Sequence, residues 1–220
     1  MDLRHPDAWN KNRDERFVKR VLLYQEQCLI RSESNPDLTL WVLWAAKETA
    51  YKIVSKSHPA VHSGPLKYAV HLIESAPLVS SKADIRSRYL FCSVETPVGP
   101  VRVDVMAVPD YVHAFGCQGD QSRGGTLHLK IFGLGQHSCQ EQLESLMVRK
   151  ALFRYLSRFW QIDSGRIGIR REQGVRGLGP PKLYVDGSRI QADISLSHHG
   201  RYGAFAVFAA AGNNLFSSSP

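Results

Sequence analysis

Hydrophobic and polar positions along the chain predict an α+β protein in which long helices are followed by groups of short strands. Apolar residues recur at three- and four-residue intervals over residues 16–30 and 38–55, the spacing of helices with one buried face. Asn35 followed by Pro36 marks the start of the second helix, because Asn is a good N-cap and proline suits the first helical position. Residues 58–65 contain two prolines and a glycine, which end it. Residues 1–14 are polar and predict an extended lead-in.

Alternating or continuous apolar runs predict strands in the rest of the chain, interrupted by one further helix. The predicted strands cover residues 68–73, 89–94, 101–107, 112–117, 127–132, 167–169, 183–185, 194–197 and 202–209. The further helix covers Glu141–Trp160, and residues 174–179 form a glycine-rich loop. Helix and strands thus occur twice in the same order. We therefore expect two pseudo-symmetric halves, residues 1–135 and 136–220, each a helix packed on a small antiparallel sheet, which together make one compact unit.

Composition narrows the class of protein and of partner. Of the 220 residues 43% are hydrophobic and 22% charged, as in ordinary globular proteins and unlike disordered ones. The net charge of +8 favours anionic partners. We find no signal-peptide pattern and no apolar run near the roughly 20 residues that a membrane span needs. With four scattered cysteines, these features predict a reduced, cytoplasmic protein without a membrane partner.

Residues 44–52 (WAAKETAYK) carry the first candidate chemistry. Glu48 and Lys52 are four residues apart on a predicted helix and therefore share one face. The ordinary interpretation is an exposed ion pair worth about 0.3–0.5 kcal/mol. The apolar neighbours, among them Trp41 and Trp44, instead predict a mostly buried helix, where a carboxylate and an ammonium need a partner such as a metal or a phosphate.

Residues 194–200 (ISLSHHG) carry the second candidate chemistry. A predicted strand ends here in hydroxyl and imidazole groups and turns at Gly200. Such an end can present side chains and backbone N–H groups to an anion. A hairpin with polar tips has the same pattern, so this segment alone is weak evidence for a site.

Together the segments resemble the signatures of the 4'-phosphopantetheinyl transferase superfamily. Residues 44–52 match W/F-x-x-K-E-A-x-x-K with Thr49 in place of alanine, and residues 194–198 match I-S-x-S-H. Residues 16–26 also resemble the R-F-x-x-R-x-L-x-x-x-E stretch that lies upstream of the lysine-glutamate helix in this family. The serine-histidine strand follows the lysine-glutamate helix, as in the short holo-acyl-carrier-protein synthases, whereas it precedes the helix in surfactin-type enzymes. The resemblance therefore implies a permuted two-half enzyme with its active site in the cleft between the halves.

The resemblance implies a Mg²⁺-dependent transfer of phosphopantetheine from coenzyme A to a serine of an acyl or peptidyl carrier protein, with release of 3',5'-ADP. It implies that Glu48 binds the metal and that Lys52 contacts a diphosphate oxygen. Glu48, or a metal-bound water beside it, is the candidate acceptor of the serine proton. The family's other metal ligand is an aspartate in a short G-x-D strand near the chain start, where this chain has Met1-Asp2-Leu3. Either Asp2 is that ligand, or the ligand is missing from the sequence.

The resemblance also implies a nucleotide-binding part. Ser197 and His198 would contact the nucleotide end near its 3'-phosphate, with help from Arg149. In the family's G-K/R-P segment, Pro180 stands at the basic position here, and Lys182 would compensate in part.

Two alternatives to the enzyme stay open. A chain without the metal aspartate would be a catalytically impaired homologue that still binds coenzyme A. A cluster of arginines in residues 149–176 would suit a basic nucleic-acid-binding module, although no recognised nucleic-acid motif accompanies it. We expect a monomer that binds coenzyme A and an apo carrier protein and no nucleic acid.

Overall fold

The computed structural model describes residues 1–77, 87–117, 125–135, 141–174 and 177–210. The chain divides into two compact units, Met1–Gln118 and Gly119–Pro220. Each unit has a long helix packed on an antiparallel sheet, which confirms the predicted α+β class. No helix in the described ranges is long and apolar enough to cross a membrane.

The first unit is built around one long helix and a four-stranded sheet. Its helices are α1 (Glu15–Val21), α2 (Tyr24–Ser32) and α3 (Pro36–Ser57), and its strands are β1 (Ala69–Pro77), β2 (Arg88–Glu95), β3 (Val101–Ala107) and β4 (Val112–Phe115). The sheet has the order β1-β2-β3-β4, with every neighbouring pair antiparallel. The start of α3 is confirmed, since the Asn35 side chain accepts a hydrogen bond from the Leu38 N–H at 3.1 Å. The apolar face of α3, with Leu43 and Ala46 fully buried, forms the core with the inner face of the sheet.

The second unit repeats this arrangement with a longer sheet. Its elements are α4 (Glu141–Trp160), β5 (Gly125–Gly133), β6 (Ile167–Arg170), β7 (Gln173–Gly174), β8 (Gly177–Leu178), β9 (Lys182–Val185), β10 (Ser188–His199) and β11 (Tyr202–Ala210). Five strands form an antiparallel sheet in the order β5-β11-β10-β9-β6. Leu152 and Leu156 of α4 pack on Leu183, Ile194 and Phe205 of that sheet.

Three predictions about local structure were wrong or incomplete. The single helix over residues 16–30 is two helices, because Leu22 and Leu23 are extended and the Glu26 carboxylate accepts a hydrogen bond from the Leu23 N–H at 2.8 Å, which caps a new helix. Residues 1–14 are not an extended lead-in: they contain the 3-10 turns Pro6–Ala8 and Lys11–Arg13. The predicted loop 174–179 contains parts of the β7–β8 hairpin, and residues 175–176 lie outside the described residues.

The boundary between the units differs from the one predicted at residue 135. Strand β5 pairs with β11 along its whole length, from Gly125 opposite Ala210 to Gly133 opposite Tyr202. Its backbone hydrogen bonds therefore belong to the second sheet, and the division falls before it, after residue 118. The close association of the two units remains a prediction.

Candidate functional site

The lysine of the lysine-glutamate motif forms a buried ion pair. Lys47 Nζ lies 2.6 Å from Glu26 Oε2, and the two side chains are 1% and 5% exposed. Lys47 also donates to the Pro65 carbonyl at 3.2 Å, while Glu26 accepts from the backbone N–H groups of Leu23 and Val70. Lys47 thus connects α3 to α2 and to Pro65, and Glu26 extends this network to Val70 at the start of β1. This is a structural role.

Glu48, the next residue, has a different environment. It is half-buried on α3, and in the described part of the chain it takes part in no hydrogen bond or ion pair. Burial raises the pKa of Glu48, and the positive charge of Lys52 lowers it only in part. A carboxylate that loses hydration without gaining a protein partner is available to a cation or to a proton.

We group Asp2, Glu48, Lys52 and His113 of the first unit as a polar cluster, because they are linked through the electrostatic effects of Lys52 and of the Met1 amino group. Residues 1–3 lie along the edge of the sheet next to β4, with Asp2 in a bridge to Tyr111, and Asp2 is buried. The positive charge of Lys52 lowers the pKa values of Glu48, of His113 and of the Met1 amino group. The negative charge of Asp2 raises the pKa of that amino group. The pKa of His113 falls to about 4, first because of burial and then because of these positive charges. The cluster thus combines two carboxylates, one ammonium and a neutral imidazole.

The second unit contains an open groove of about 690 Å³ beside the amino-terminal half of α4. Its charged or titratable lining comes from Arg149, Arg171 and His198. His198 Nδ1 lies 2.7 Å from Glu144 Oε2 of α4, in a pair that is mostly buried. In the part of the chain that the structure describes, the Nε atom of Arg149 is buried and has no hydrogen-bond partner. Two guanidinium groups next to an imidazole make this groove suited to an anion.

The other predicted nucleotide contacts lie apart from this groove lining. Successive residues of a strand point to opposite faces of the sheet, so Ser197 lies on the face opposite to His198. Lys182 on β9 forms an ion pair with Glu172, which lowers the pKa of the Glu172 carboxyl. The structure therefore brings Arg149 and His198 together and leaves the side chains of Ser197 and Lys182 outside the groove lining.

Comparison with known families decides the interpretation of the first unit. Residues 2–82 match the model of the 4'-phosphopantetheinyl transferase superfamily. The matched segment contains Asp2 and all of α3, so the recognition made from the motifs is confirmed for this part of the chain. No curated protein and no solved structure matches the chain.

The oxygen donors of the polar cluster fit the Mg²⁺ that 4'-phosphopantetheinyl transferases use. Mg²⁺ is usually held by one or two carboxylates, with substrate phosphates and waters completing its coordination. Glu48 and Asp2 supply two carboxylates, and Glu48 has no competing protein partner among the described residues. Among the described residues, no group of three or more His, Cys, Asp and Glu side chains is placed so that it could hold a metal ion.

Sequence analysis missed two residues of these sites. Glu144 is 54 positions from His198 and lies in a helix whose pattern signals only its buried face. His113 belongs to an ordinary alternating strand, and nothing in its local sequence signals its proximity to Lys52. Neither residue belongs to a motif, so no local signal was available.

Proposed function

We propose that this protein transfers the phosphopantetheine group of coenzyme A to a serine of an acyl or peptidyl carrier protein and releases 3',5'-ADP. One observation carries the proposal: the segment that matches the transferase superfamily presents Glu48 half-buried and without a protein partner in the described part of the chain, one helical turn from Lys52. Glu26, a structural carboxylate of the same unit, is by contrast fully buried and paired with Lys47.

Glu48 and Asp2 would hold Mg²⁺ in this proposal. When bound, Mg²⁺ neutralises charge on the diphosphate of coenzyme A, which is the main requirement of phosphoryl transfer. Asp2 is kept in place by the bridge to Tyr111 and by the Arg4 N–H, which donates to its carboxylate at 2.9 Å. The two carboxylates are thus supported by the sheet edge and by α3.

Lys52 would bind a non-bridging oxygen of the diphosphate as a point charge. The serine oxygen of the carrier protein forms a bond to the β-phosphorus, and the bond from that phosphorus to the oxygen shared with the α-phosphate breaks. The electron pair of the broken bond leaves with 3',5'-ADP. Glu48, or a water beside it, would accept the serine proton.

The groove of the second unit would bind the nucleotide end of coenzyme A. Arg149 offers a buried Nε that has no hydrogen-bond partner among the described residues, and His198 lies in the same groove. An exposed phosphate group of the nucleotide suits such donors better than an uncharged ligand does. Lys182 is already paired with Glu172 and is not needed for this contact.

The decisive experiment is transfer from coenzyme A to an apo carrier protein, measured as the mass gain of the carrier with Mg²⁺ and with chelator. We expect transfer by the wild-type chain, none by Glu48→Ala, and unchanged transfer by Glu33→Gln, a control on an exposed glutamate. Thermal stabilisation by coenzyme A without transfer would support the impaired homologue instead. Salt-sensitive DNA binding with which coenzyme A does not compete would support the nucleic-acid alternative.

A further inference from the structure

A second open groove of the same unit, of about 520 Å³, is lined by the carboxyl-terminal half of α4 and by β5. It is separate from the groove that contains His198, and its lining lies outside the matched residues 2–82. Three basic and three aromatic side chains line it, and the described lining holds no acidic residue: Lys130, Arg154, Arg158, Phe132, Tyr155 and Phe159. We call it the aromatic groove. Its volume is in the range typical of binding sites in proteins.

The aromatic rings form a fixed apolar floor. Tyr155 packs on Phe205 of the core with ring centroids 5.3 Å apart, and its ring is nearly parallel to that of Phe159 at 6.1 Å. His128 of β5 contacts both rings: its Nδ1 lies 2.7 Å from the Tyr155 hydroxyl oxygen, and its ring meets Phe159 edge to face at 4.5 Å. Phe159 is nevertheless 55% exposed. A fixed and exposed aromatic side chain is a typical anchor of protein interfaces, in which Phe, Tyr and Arg are enriched.

Positive charges surround this floor without acidic partners. Lys130, Arg154 and Arg158 are exposed, and none of them forms an ion pair or a hydrogen bond with another described residue. Arg154 and Arg158 are four residues apart on α4, a spacing at which like charges destabilise a helix. Arg166 of the same unit, by contrast, is paired with Asp186. Three uncompensated cations at one groove favour an anionic partner.

The shape of the aromatic groove favours a peptide over a nucleic-acid strand. A single strand binds through successive bases that stack on free aromatic faces. Here Phe132 and Tyr155 contact the ring of Phe205 in the core, and of the three rings in the lining only Phe159 is largely exposed. The lining of α4 runs over residues 151–159, which is about 12 Å of helix. That length suits one large apolar side chain with a carboxylate on either side.

We propose that the aromatic groove is a docking site for an acidic segment of a protein partner, in which carboxylates flank a large apolar side chain. The apolar side chain packs on Tyr155 and Phe159, and the carboxylates pair with Arg154, Arg158 and Lys130. The site goes beyond the proposed function, because its residues belong neither to the two predicted motifs nor to the polar cluster. Partner binding is therefore independent of coenzyme A.

The test is fluorescence anisotropy of the full chain with a labelled synthetic peptide of twelve residues, in which glutamates flank a central Phe-Leu pair. Two matched peptides carry glutamine in place of every glutamate, or alanine in place of the Phe-Leu pair. We expect the first peptide to bind with an affinity that falls as the salt concentration rises. Each matched peptide should bind at least about fivefold more weakly, and saturating coenzyme A should leave the affinity unchanged.

Variants of the groove locate the binding. Arg154→Gln combined with Arg158→Gln should weaken peptide binding roughly tenfold, since each exposed ion pair contributes a few-fold. Phe159→Ala should weaken it at least about fivefold, because the anchor is lost. Lys150→Gln and Leu143→Ala are the matched controls, since both residues are exposed on α4 and lie outside the lining of the aromatic groove.

Five results would overturn the inference: no binding by the wild-type chain, equal binding of the glutamine peptide, equal losses in control and groove variants, displacement of the peptide by coenzyme A, or its displacement by a tighter-binding oligonucleotide of twelve thymidines. The last result would make the groove a nucleic-acid site instead. The circular dichroism melting curve of each variant shows whether it is folded. The two arginine substitutions are exposed and test the inference if Phe159→Ala does not fold.

Discussion

The buried ion pair of Lys47 and Glu26 allows a stability prediction to be worked from the contacts. Lys47→Met keeps most of the length and volume of the side chain, so it creates little cavity. It leaves the Glu26 carboxylate, 5% exposed, without its cation. Removing one partner of a buried ion pair costs about 3–5 kcal/mol, because the remaining charge has lost both water and counter-charge. The hydrogen bonds that Glu26 accepts from two backbone N–H groups offset only part of this cost.

The double variant Glu26→Leu with Lys47→Met tests the origin of that cost. Both charges are then absent, and the remaining penalty comes from the N–H groups of Leu23 and Val70, which lose their acceptor at about 1–3 kcal/mol each. We therefore expect the double variant to be less destabilised than the sum of the two single variants. The difference is the coupling energy of the pair.

Urea unfolding at neutral pH measures these free energies. Lys19→Met is the matched control, since Lys19 forms an exposed ion pair with Glu15 at 3.0 Å. This substitution should lower the free energy of unfolding by less than about 1 kcal/mol. A Lys47→Met protein that is no less stable than Lys19→Met would refute the argument that the pair is buried and necessary. So would a double variant as unstable as the sum of the single ones.

Three further predictions concern the polar cluster and the second sheet. Burial raises the pKa of Glu48 above its ordinary 4.5, so ionisation of this carboxyl destabilises the folded protein above that pH. Glu48→Gln should therefore unfold at a higher urea concentration than wild type at pH 7 and at the same concentration at pH 4. The variant should also lose transfer activity. The pKa of His113 is about 4 in the folded protein and 6.5 in the unfolded chain, so on acidification the unfolded chain is protonated first. The free energy of unfolding of the wild type should therefore fall by roughly 2–3 kcal/mol between pH 7 and pH 4.5. An equal fall in His113→Leu would contradict this. Gly203→Ala places a Cβ 2.8 Å from Val148 Cγ2 and should cost about 1–3 kcal/mol in urea unfolding, against little for Gly168→Ala, whose Cβ is 4.0 Å from its nearest neighbour.

The sequence by itself determined those features that depend on neighbours along the chain. The helix Glu141–Trp160 has the bounds that its periodicity predicted, and Asn35 caps α3 through its own side chain. The β3–β4 hairpin follows from alternation on both sides of a proline turn. Helical spacing, caps and turns act over a few residues, which is why the α+β class and the two motifs were visible without coordinates.

Only the tertiary structure distinguished the environment of Lys47 from that of Glu48. Both belong to one motif on one helix, yet the first is satisfied by Glu26 from another helix and the second is left without a protein partner in the described part of the chain. The break at Leu22–Leu23 likewise depends on Glu26, whose other oxygen binds the Val70 N–H 44 residues away. The contact of Glu144 with His198 likewise exists only because β10 packs against α4. Burial and pairing of charges are set by packing between distant segments, and no local pattern encodes them.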